Sequence, residues 1–319
     1  MAHAYAALTP DVVLDGAAAL GARPDGRLLP LNSYENRVYQ IWLEDDSSIV
    51  AKFYRPGRWS AAQIAEEHAF ARELAEREIP VVAPFATGEH AGFSVALYPR
   101  RGGRRPELDD PKTLQWIGRF LGRIHAVGAT APFQHRETLS IESFGQASRE
   151  YLLQHNFVPA DLLDAWKAVT EQALSFVRVS FERSGAIRNI RLHGDCHPGN
   201  ILWTYEGPHF VDLDDARMGP AMQDLWMLLS GDRAAMTGQL IDVLSGYEDF
   251  AELDRRELGL IEALRTLRLI HYSAWIARRW DDPAFPAAFP WFNTQRYWQD
   301  RILELREQIA LMEEEPLKV

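Results

Sequence analysis

The sequence predicts an α+β fold of two parts: a small part built on an antiparallel sheet, then a larger, mainly helical part. Segments rich in β-branched and aromatic residues concentrate in the first third of the 319 residues. Apolar residues at helical spacing dominate the remainder, where a few short strands flank polar loops. We expect residues 1–98 to form an N-terminal domain and 99–319 a C-terminal domain, with a hinge near Tyr98-Pro99.

The first third alternates strands and helices. Thr9 is a typical N-cap and Pro10 a typical first helical residue. A later helix ends before Pro80, because the residue preceding a proline avoids the α region. The predicted helices cover 11–20 and 59–78. The predicted strands cover 28–43, 47–54 and 93–98.

Amphipathic patterns with a period near 3.6 residues fill most of the chain after residue 110. Helices are predicted over 112–126, 147–184 with a break near Pro159, 222–230, 236–247, 256–280 and 294–314. Short strands are predicted over 190–192, 200–203 and 210–213. This pattern predicts a large helical domain in which short strands flank one polar loop, residues 193–199.

Composition narrows the class of function. The formal net charge of −11 argues against general nucleic-acid binding, which depends on Lys and Arg. Cys196 is the single cysteine, so an internal disulfide is excluded and a reducing compartment is favoured. The first residues do not show the basic stretch followed by an apolar stretch that is typical of a secretory signal. No run of about 18 apolar residues, the length of a transmembrane helix, is present in the sequence. We therefore expect a cytoplasmic protein that binds neither membrane nor nucleic acid.

The strongest chemical signal is a pair of acids and an amide on strand-flanked loops. Asp195 precedes Asn200 by five residues, and Asp212 follows twelve residues later. Phosphoryl transfer needs one carboxylate for the proton of the nucleophile, and an amide oxygen and a second carboxylate for magnesium. The spacing from Asp195 to Asn200 equals that of the protein-kinase H-R-D-x-x-x-x-N loop. The pattern predicts a bilobal, protein-kinase-like phosphotransferase that uses ATP and Mg²⁺, with Asp195 and Asp212 as catalytic residues.

Longer motifs carry a family resemblance. They read H-G-D-C-H-P-G-N over 193–200, V-D-L-D-D-A-R over 211–217, L-N-S-Y-E-N-R-V-Y over 31–39 and K-F-Y-R-P over 52–56. The first resembles the aminoglycoside phosphotransferase and choline kinase group. Together they resemble the stress response kinase A family of bacterial Ser/Thr protein kinases, from about residue 29 to 232. The resemblance implies a protein substrate carrying Ser or Thr, and autophosphorylation as a further activity.

The resemblance implies roles for residues of the first domain. Lys52 would contact the nucleotide phosphates from a strand face that it shares with Val50. Glu67, which follows the apolar stripe of its helix, would orient Lys52, with Glu66 as the alternative. Ser33 would bind the nucleotide in a turn that replaces the glycine-rich loop.

The same resemblance implies supporting and metal-binding roles around the polar loop. Asn200 and Asp212 would hold Mg²⁺. His193 would pack beneath the loop, and the carboxylate of Asp224 would accept backbone N–H bonds from it. Cys196 is expected to be an inert buried thiol.

Three other functions stay open from the sequence. The first is a small-molecule kinase acting on an alcohol or amine. The second is a nucleotide-binding pseudokinase scaffold, although such a scaffold has no need for Lys52, Asp195, Asn200 and Asp212 together. The third is a metallohydrolase built on the His- and Asp-rich loop. The leading expectation is a Ser/Thr protein kinase.

Overall fold

The computed structural model describes residues 4–319 and confirms the predicted α+β fold. In chain order the helices and strands are α1 (Pro10–Ala19), β1 (Pro24–Pro30), β2 (Arg37–Leu43), β3 (Ser48–Phe53), α2 (Ala61–Glu76), β4 (Ala86–His90), β5 (Phe93–Pro99), α3 (Pro111–Gly128), α4 (Ala147–Gln154), α5 (Leu163–Ser184), β6 (Ile190–Leu192), β7 (Ile201–Thr204), β8 (Gly207–Phe210), β9 (Arg217–Gly219), α6 (Met222–Leu225), α7 (Arg233–Tyr247), α8 (Ile261–Ala277), α9 (Ala284–Ala288) and α10 (Gln295–Glu313).

Packing divides the chain into two compact units. The first contains the described residues up to Pro106 together with Gly199–Asp214. The second contains Glu107–Pro198 and Asp215–Val319. The segment Gly199–Asp214 therefore packs with the N-terminal sheet, although it lies within the predicted C-terminal domain, 99–319.

The first unit is built on a five-stranded antiparallel sheet of order β1-β2-β3-β5-β4. Strand β4 was not predicted, because its sequence A-T-G-E-H lacks an apolar alternation. It pairs with β5 through a tight turn at Ala91 and Gly92, whose φ angles are 49° and 83°. The predicted strand 28–43 is in fact two strands, β1 and β2, joined by a loop that contains Ser33.

The two faces of β3 have different partners. Ile49, Ala51 and Phe53 are buried in the core beneath α1. Tyr54, directly after β3, packs with Ile64 of α2 on the opposite side. The predicted alternation is confirmed, and it turns Lys52 towards α2.

The second unit is mainly helical. Helix α3 packs along α7, α5 packs on α10, and α8 contacts α4, α5 and α10. The break predicted near Pro159 is present between α4 and α5. Within residues 4–319, no helix combines the length and apolarity needed to cross a membrane.

Two predicted elements were wrong around the polar loop. Strand β8 ends at Phe210 instead of continuing to Leu213, because Asp212 adopts a left-handed φ of 60° and a 3₁₀ turn begins at Leu213. The helix predicted over 222–230 is α6 followed by a 3₁₀ turn, Trp226–Leu228. Strand β9 and helix α9 were not predicted.

Glycines allow α3 and α7 to approach to backbone contact. A Cβ at Gly118 would overlap the carbonyl oxygen of Val243, and a Cβ at Gly246 would overlap that of Gln115. Larger side chains at these positions would push the two helices apart. Sequence periodicity alone does not reveal such a crossing.

We expect Gly246→Ala to lower the free energy of unfolding by about 1 to 3 kcal/mol, because α3 must move to admit the methyl group. Gly238→Ala on the same helix is the matched control, since no atom lies within 4 Å of its Cβ position. The control should be neutral or stabilising by up to about 1 kcal/mol. Chemical denaturation measures both, and equal stabilities of the two variants would contradict the close crossing.

Candidate active site

A pocket of about 360 Å³ lies within the first unit. It brings together five of the residues that the sequence singled out: Ser33, Lys52, Glu67, Asn200 and Asp212. Much of the remaining wall is apolar and includes Val38, Val50, Val82, Leu202 and Leu213. A cavity with an apolar wall and a few convergent polar groups is a typical small-ligand site.

Lys52 is the centre of a buried charge cluster. Its Nζ lies 3.5 Å from Oε1 of Glu67, 3.0 Å from Oδ1 of Asp212 and 3.1 Å from Oδ1 of Asp214. The predicted ion pair with Glu67 is confirmed. Burial by itself would lower the pKa of Lys52, but the carboxylates of Asp212, Asp214 and Glu67 outweigh it and hold the pKa well above its ordinary value. Lys52 is therefore a fixed cation at the polar end of the pocket.

The loop that contains Ser33 is held by a second set of charges. Arg58 forms a close ion pair with Asp214, and its Nη1 lies 3.7 Å from Oε2 of Glu35. Nε of Arg55 lies 2.9 Å from Oε1 of Glu35. The loop has no glycine to cradle phosphate, and these ion pairs fix its backbone through Glu35 instead.

Asn200 and Asp212 lie close together because a backbone hydrogen bond joins their two segments. The backbone N–H of Val211 donates to the carbonyl of Asn200 at 3.0 Å. The side chain of Asp212 is half-exposed, in contrast with the buried carboxylate of Asp214. Its left-handed backbone is a conformation that Asp tolerates better than most residues. Both residues line the pocket, and amide and carboxylate oxygens are ligands that suit Mg²⁺.

In the second unit, the buried carboxylate of Asp224 holds the polar loop. It accepts N–H bonds of 2.8 Å each from the backbone of His193 and Gly194, which is the contact that the resemblance implied. His125 of α3 adds a bond of 3.0 Å, and the hydroxyl of Tyr247 of α7 lies 2.9 Å from the other ring nitrogen. Burial would raise the pKa of Asp224, but the bonds from His125 and Gly194 outweigh it, so the pKa is lowered.

Asp195 on the same loop is one-fifth exposed and faces a guanidinium. Nη1 of Arg268, on α8, donates to Oδ1 of Asp195 at 2.6 Å. Nε2 of His197 lies 3.5 Å from Oδ2. Asp195 is thus a positioned carboxylate with cationic and imidazole neighbours.

Comparison with known proteins identifies the family. Residues 27–261 match the model of the phosphotransferase enzyme family. The chain is 45% identical, over its whole length and 98% of the relative, to stress response kinase A of Escherichia coli strain K12. It is equally similar to serine/threonine protein kinase RdoA of Salmonella typhimurium strain LT2, with 45% identity over 323 residues.

The chain belongs to the phosphotransferase enzyme family, in its stress response kinase A branch. The predicted enzyme class, an ATP-utilising kinase, follows from this membership. Amicoumacin kinase hAmiN, in complex with AMP-PNP, Ca²⁺ and Ami, shares the fold: the TM-score is 0.72 at 21% identity, over 97% of this chain and 94% of that one.

The sequence did not reveal every residue that shapes this phosphotransferase site. Arg58 and Asp214 form a buried pair although 156 positions separate them, and Arg268 lies 73 positions from Asp195. His125 is 99 positions from Asp224. No local pattern links such partners. Asp214 is the one of these residues that the sequence pattern marks, because the motif over 211–217 has two further acids after Asp212.

Cys196 of the kinase is fully buried. Burial, followed by the charges of Asp224 and Asp195, raises the pKa of the thiol well above its ordinary value. The thiolate is the reactive form of cysteine, so both burial and the raised pKa disfavour reaction of this thiol in the folded protein.

For this phosphotransferase we expect Asp224→Ala to lower the free energy of unfolding by roughly 2 to 6 kcal/mol, because two buried N–H donors lose their acceptor at about 1 to 3 kcal/mol each. Asp224→Asn retains one acceptor oxygen and should lose less. The lowered pKa means that the ionised carboxylate stabilises the fold above about pH 3.8, the ordinary value, and that this contribution fades as the pH falls through the lower folded value.

Denaturation at several pH values tests this expectation. The difference between wild type and Asp224→Ala should be constant from about pH 5 to 8 and shrink below about pH 4. A difference that grows on acidification would contradict the assignment.

Proposed function

We propose that this phosphotransferase is an ATP- and Mg²⁺-dependent Ser/Thr protein kinase that can also phosphorylate itself. A protein substrate is supported by the 45% identity over the whole chain to relatives named stress response kinase A and serine/threonine protein kinase RdoA. The charge cluster around Lys52 supports nucleotide binding. The cytoplasm is the proposed compartment, because the lone thiol suits a reducing environment.

The proposed nucleotide site is the pocket of the first unit. The apolar wall would contact the adenine ring, and Lys52, held by Glu67, would bind phosphate oxygens. Ser33 would add a hydroxyl donor from its loop. A cation fixed beforehand requires no reorganisation when the anionic nucleotide arrives.

Asn200 and Asp212 would hold Mg²⁺ on the nucleotide. Magnesium commonly uses one or two protein carboxylates and completes its shell with phosphates and water. Bound there, the metal would neutralise charge on the phosphates. Among residues 4–319, no three His, Cys, Asp or Glu side chains are grouped as a metal site. The proposed donor set relies on the amide of Asn200 and on phosphate oxygens.

Asp195 would act as the base in the second unit. The acceptor hydroxyl oxygen forms a bond to the γ-phosphorus, the bond from that phosphorus to the β-bridging oxygen breaks, and ADP leaves. The hydroxyl proton passes to Asp195 late in the reaction. Asp224 supports this step by accepting backbone N–H bonds from His193 and Gly194, the two residues directly before Asp195.

We expect Asp195→Asn to reduce turnover by about 10² to 10⁴-fold, which is the usual contribution of a general base. Its affinity for ATP should change little, because Lys52 and Ser33 lie in the pocket of the first unit. Transfer from γ-labelled ATP to Ser/Thr proteins and a nucleotide titration measure the two quantities. Asp300→Asn, an exposed site on α10, is the control for loss of one charge.

Near-wild-type turnover of Asp195→Asn would eliminate it as the base. Loss of ATP binding together with turnover would instead give it a metal or structural role. Label transferred only to small alcohols or amines would replace the protein-kinase proposal with a small-molecule kinase.

Removal of the metal site gives a separate expectation. Asp212→Ala should lose most turnover and need more Mg²⁺ for half-maximal rate, because one hard oxygen ligand is gone. Chelation of Mg²⁺ should abolish wild-type activity. Full activity in chelator, or an unchanged Mg²⁺ dependence in Asp212→Ala, would contradict the proposed metal site.

A further inference from the structure

Arg268 presents its guanidinium to the carboxylate of Asp195. The 2.6 Å bond from Nη1 to Oδ1 is short, as charge-assisted bonds are. Within residues 4–319 it is the one hydrogen bond of the Arg268 side chain, although that side chain is only one-third exposed. The guanidinium therefore extends from a helix towards a single loop carboxylate.

The helix that carries Arg268 is well anchored. Helix α8 is covered by α4, α5 and α10, and residues such as Leu264, Leu267 and Ile270 are fully or almost fully buried on its inner side. Asp195, in contrast, lies on a loop whose backbone is held from the other side by Asp224. Backbone bonds fix where the loop runs, but they do not fix the side-chain rotation of Asp195.

We propose that Arg268 is the positioning residue of the phosphotransfer base. Its bond to Oδ1 fixes the rotation of the Asp195 carboxylate and presents Oδ2 to the acceptor hydroxyl. The inference rests on the proposed role of Asp195 as base. Arg268 lies outside the H-G-D-x-H-x-x-N motif, so helix α8 supplies a group that the motif itself lacks.

Guanidinium chemistry suits this task better than an ammonium. Arginine stays charged at every physiological pH and is planar, so its N–H groups lie in directions set by the planar fork. With Oδ1 accepting from Nη1, the hydroxyl proton is transferred to Oδ2, which lies 3.5 Å from Nε2 of His197. A freely rotating carboxylate would present either oxygen and would spend less time aligned with the acceptor.

The test compares Arg268→Ala, Arg268→Lys and the control Arg265→Ala. Arg265 lies one turn earlier on α8 and pairs with Glu262 at 3.0 Å, so its variant also removes an arginine–carboxylate pair from this helix. Each variant is assayed with wild type for transfer from γ-labelled ATP, with kcat and the KM for ATP measured separately. Thermal unfolding confirms that each is folded.

We expect Arg268→Ala to lose about 10- to 100-fold in kcat, the size of loss typical of a misplaced catalytic group. Its KM for ATP should stay within about twofold, because the nucleotide pocket belongs to the first unit. Millimolar methylguanidine should restore part of the kcat of Arg268→Ala but none of that of Asp195→Asn. Arg268→Lys should fall between wild type and Arg268→Ala, and Arg265→Ala should stay near wild type.

Two results would overturn the inference: a kcat of Arg268→Ala within twofold of wild type, or equal losses in Arg268→Ala and Arg265→Ala without methylguanidine rescue. Failure of the proposed function looks different. If wild type labels only small alcohols or amines, the protein-kinase proposal fails, and the same variants are compared on that acceptor. If Asp195→Asn is fully active, Asp195 is not the base and the role of Arg268 is overturned with it.

Discussion

The buried ammonium of Lys52 is the constraint on which the first unit depends. A charged group removed from water costs several kcal/mol unless carboxylates and hydrogen bonds replace its hydration. Three carboxylates meet this demand, and they come from different segments: Glu67 from α2, and Asp212 and Asp214 from the segment after β8. The cluster therefore ties the sheet, its helix and the returning segment Gly199–Asp214 together. It also leaves a fixed cation and a half-exposed carboxylate in the same pocket.

The second unit contains a buried anion, the carboxylate of Asp224. Asp224 is compensated by two backbone N–H groups of the loop and by the ring of His125, which in turn contacts Tyr247. His125 and Tyr247 come from α3 and α7, whose backbones approach at glycines. The helix crossing and the loop are therefore coupled through one carboxylate. A loop held by its backbone leaves the side chain of Asp195 to be set by other contacts.

The net charge of the whole chain and the charges beside its buried carboxylates have opposite signs. The chain carries a net charge of −11, yet partly buried arginines lie beside carboxylates of the Lys52 cluster and of the polar loop. Arg58 reaches Asp214 in the first unit, and Arg268 reaches Asp195 in the second. An acidic protein offers an anionic nucleotide no long-range attraction. Attraction for an anion must therefore be local, and Lys52 supplies a buried cation in the pocket of the first unit.

The sequence by itself determined the fold class, the family and several of the residues that meet in the pocket of the first unit. Short-range rules suffice there: alternation placed Lys52 and Val50 on one face of β3, helical spacing selected Glu67, and motif spacing grouped Asn200 with Asp212. Only the tertiary structure decided the partners that lie far apart in the chain, such as Arg268 on Asp195. It also decided where β8 ends, because a left-handed residue stops a strand that apolar pattern alone would continue. Periodicity and capping are local effects that act within a few residues. Contacts between distant residues depend on which helix faces which loop, and the packing of the whole unit sets that arrangement.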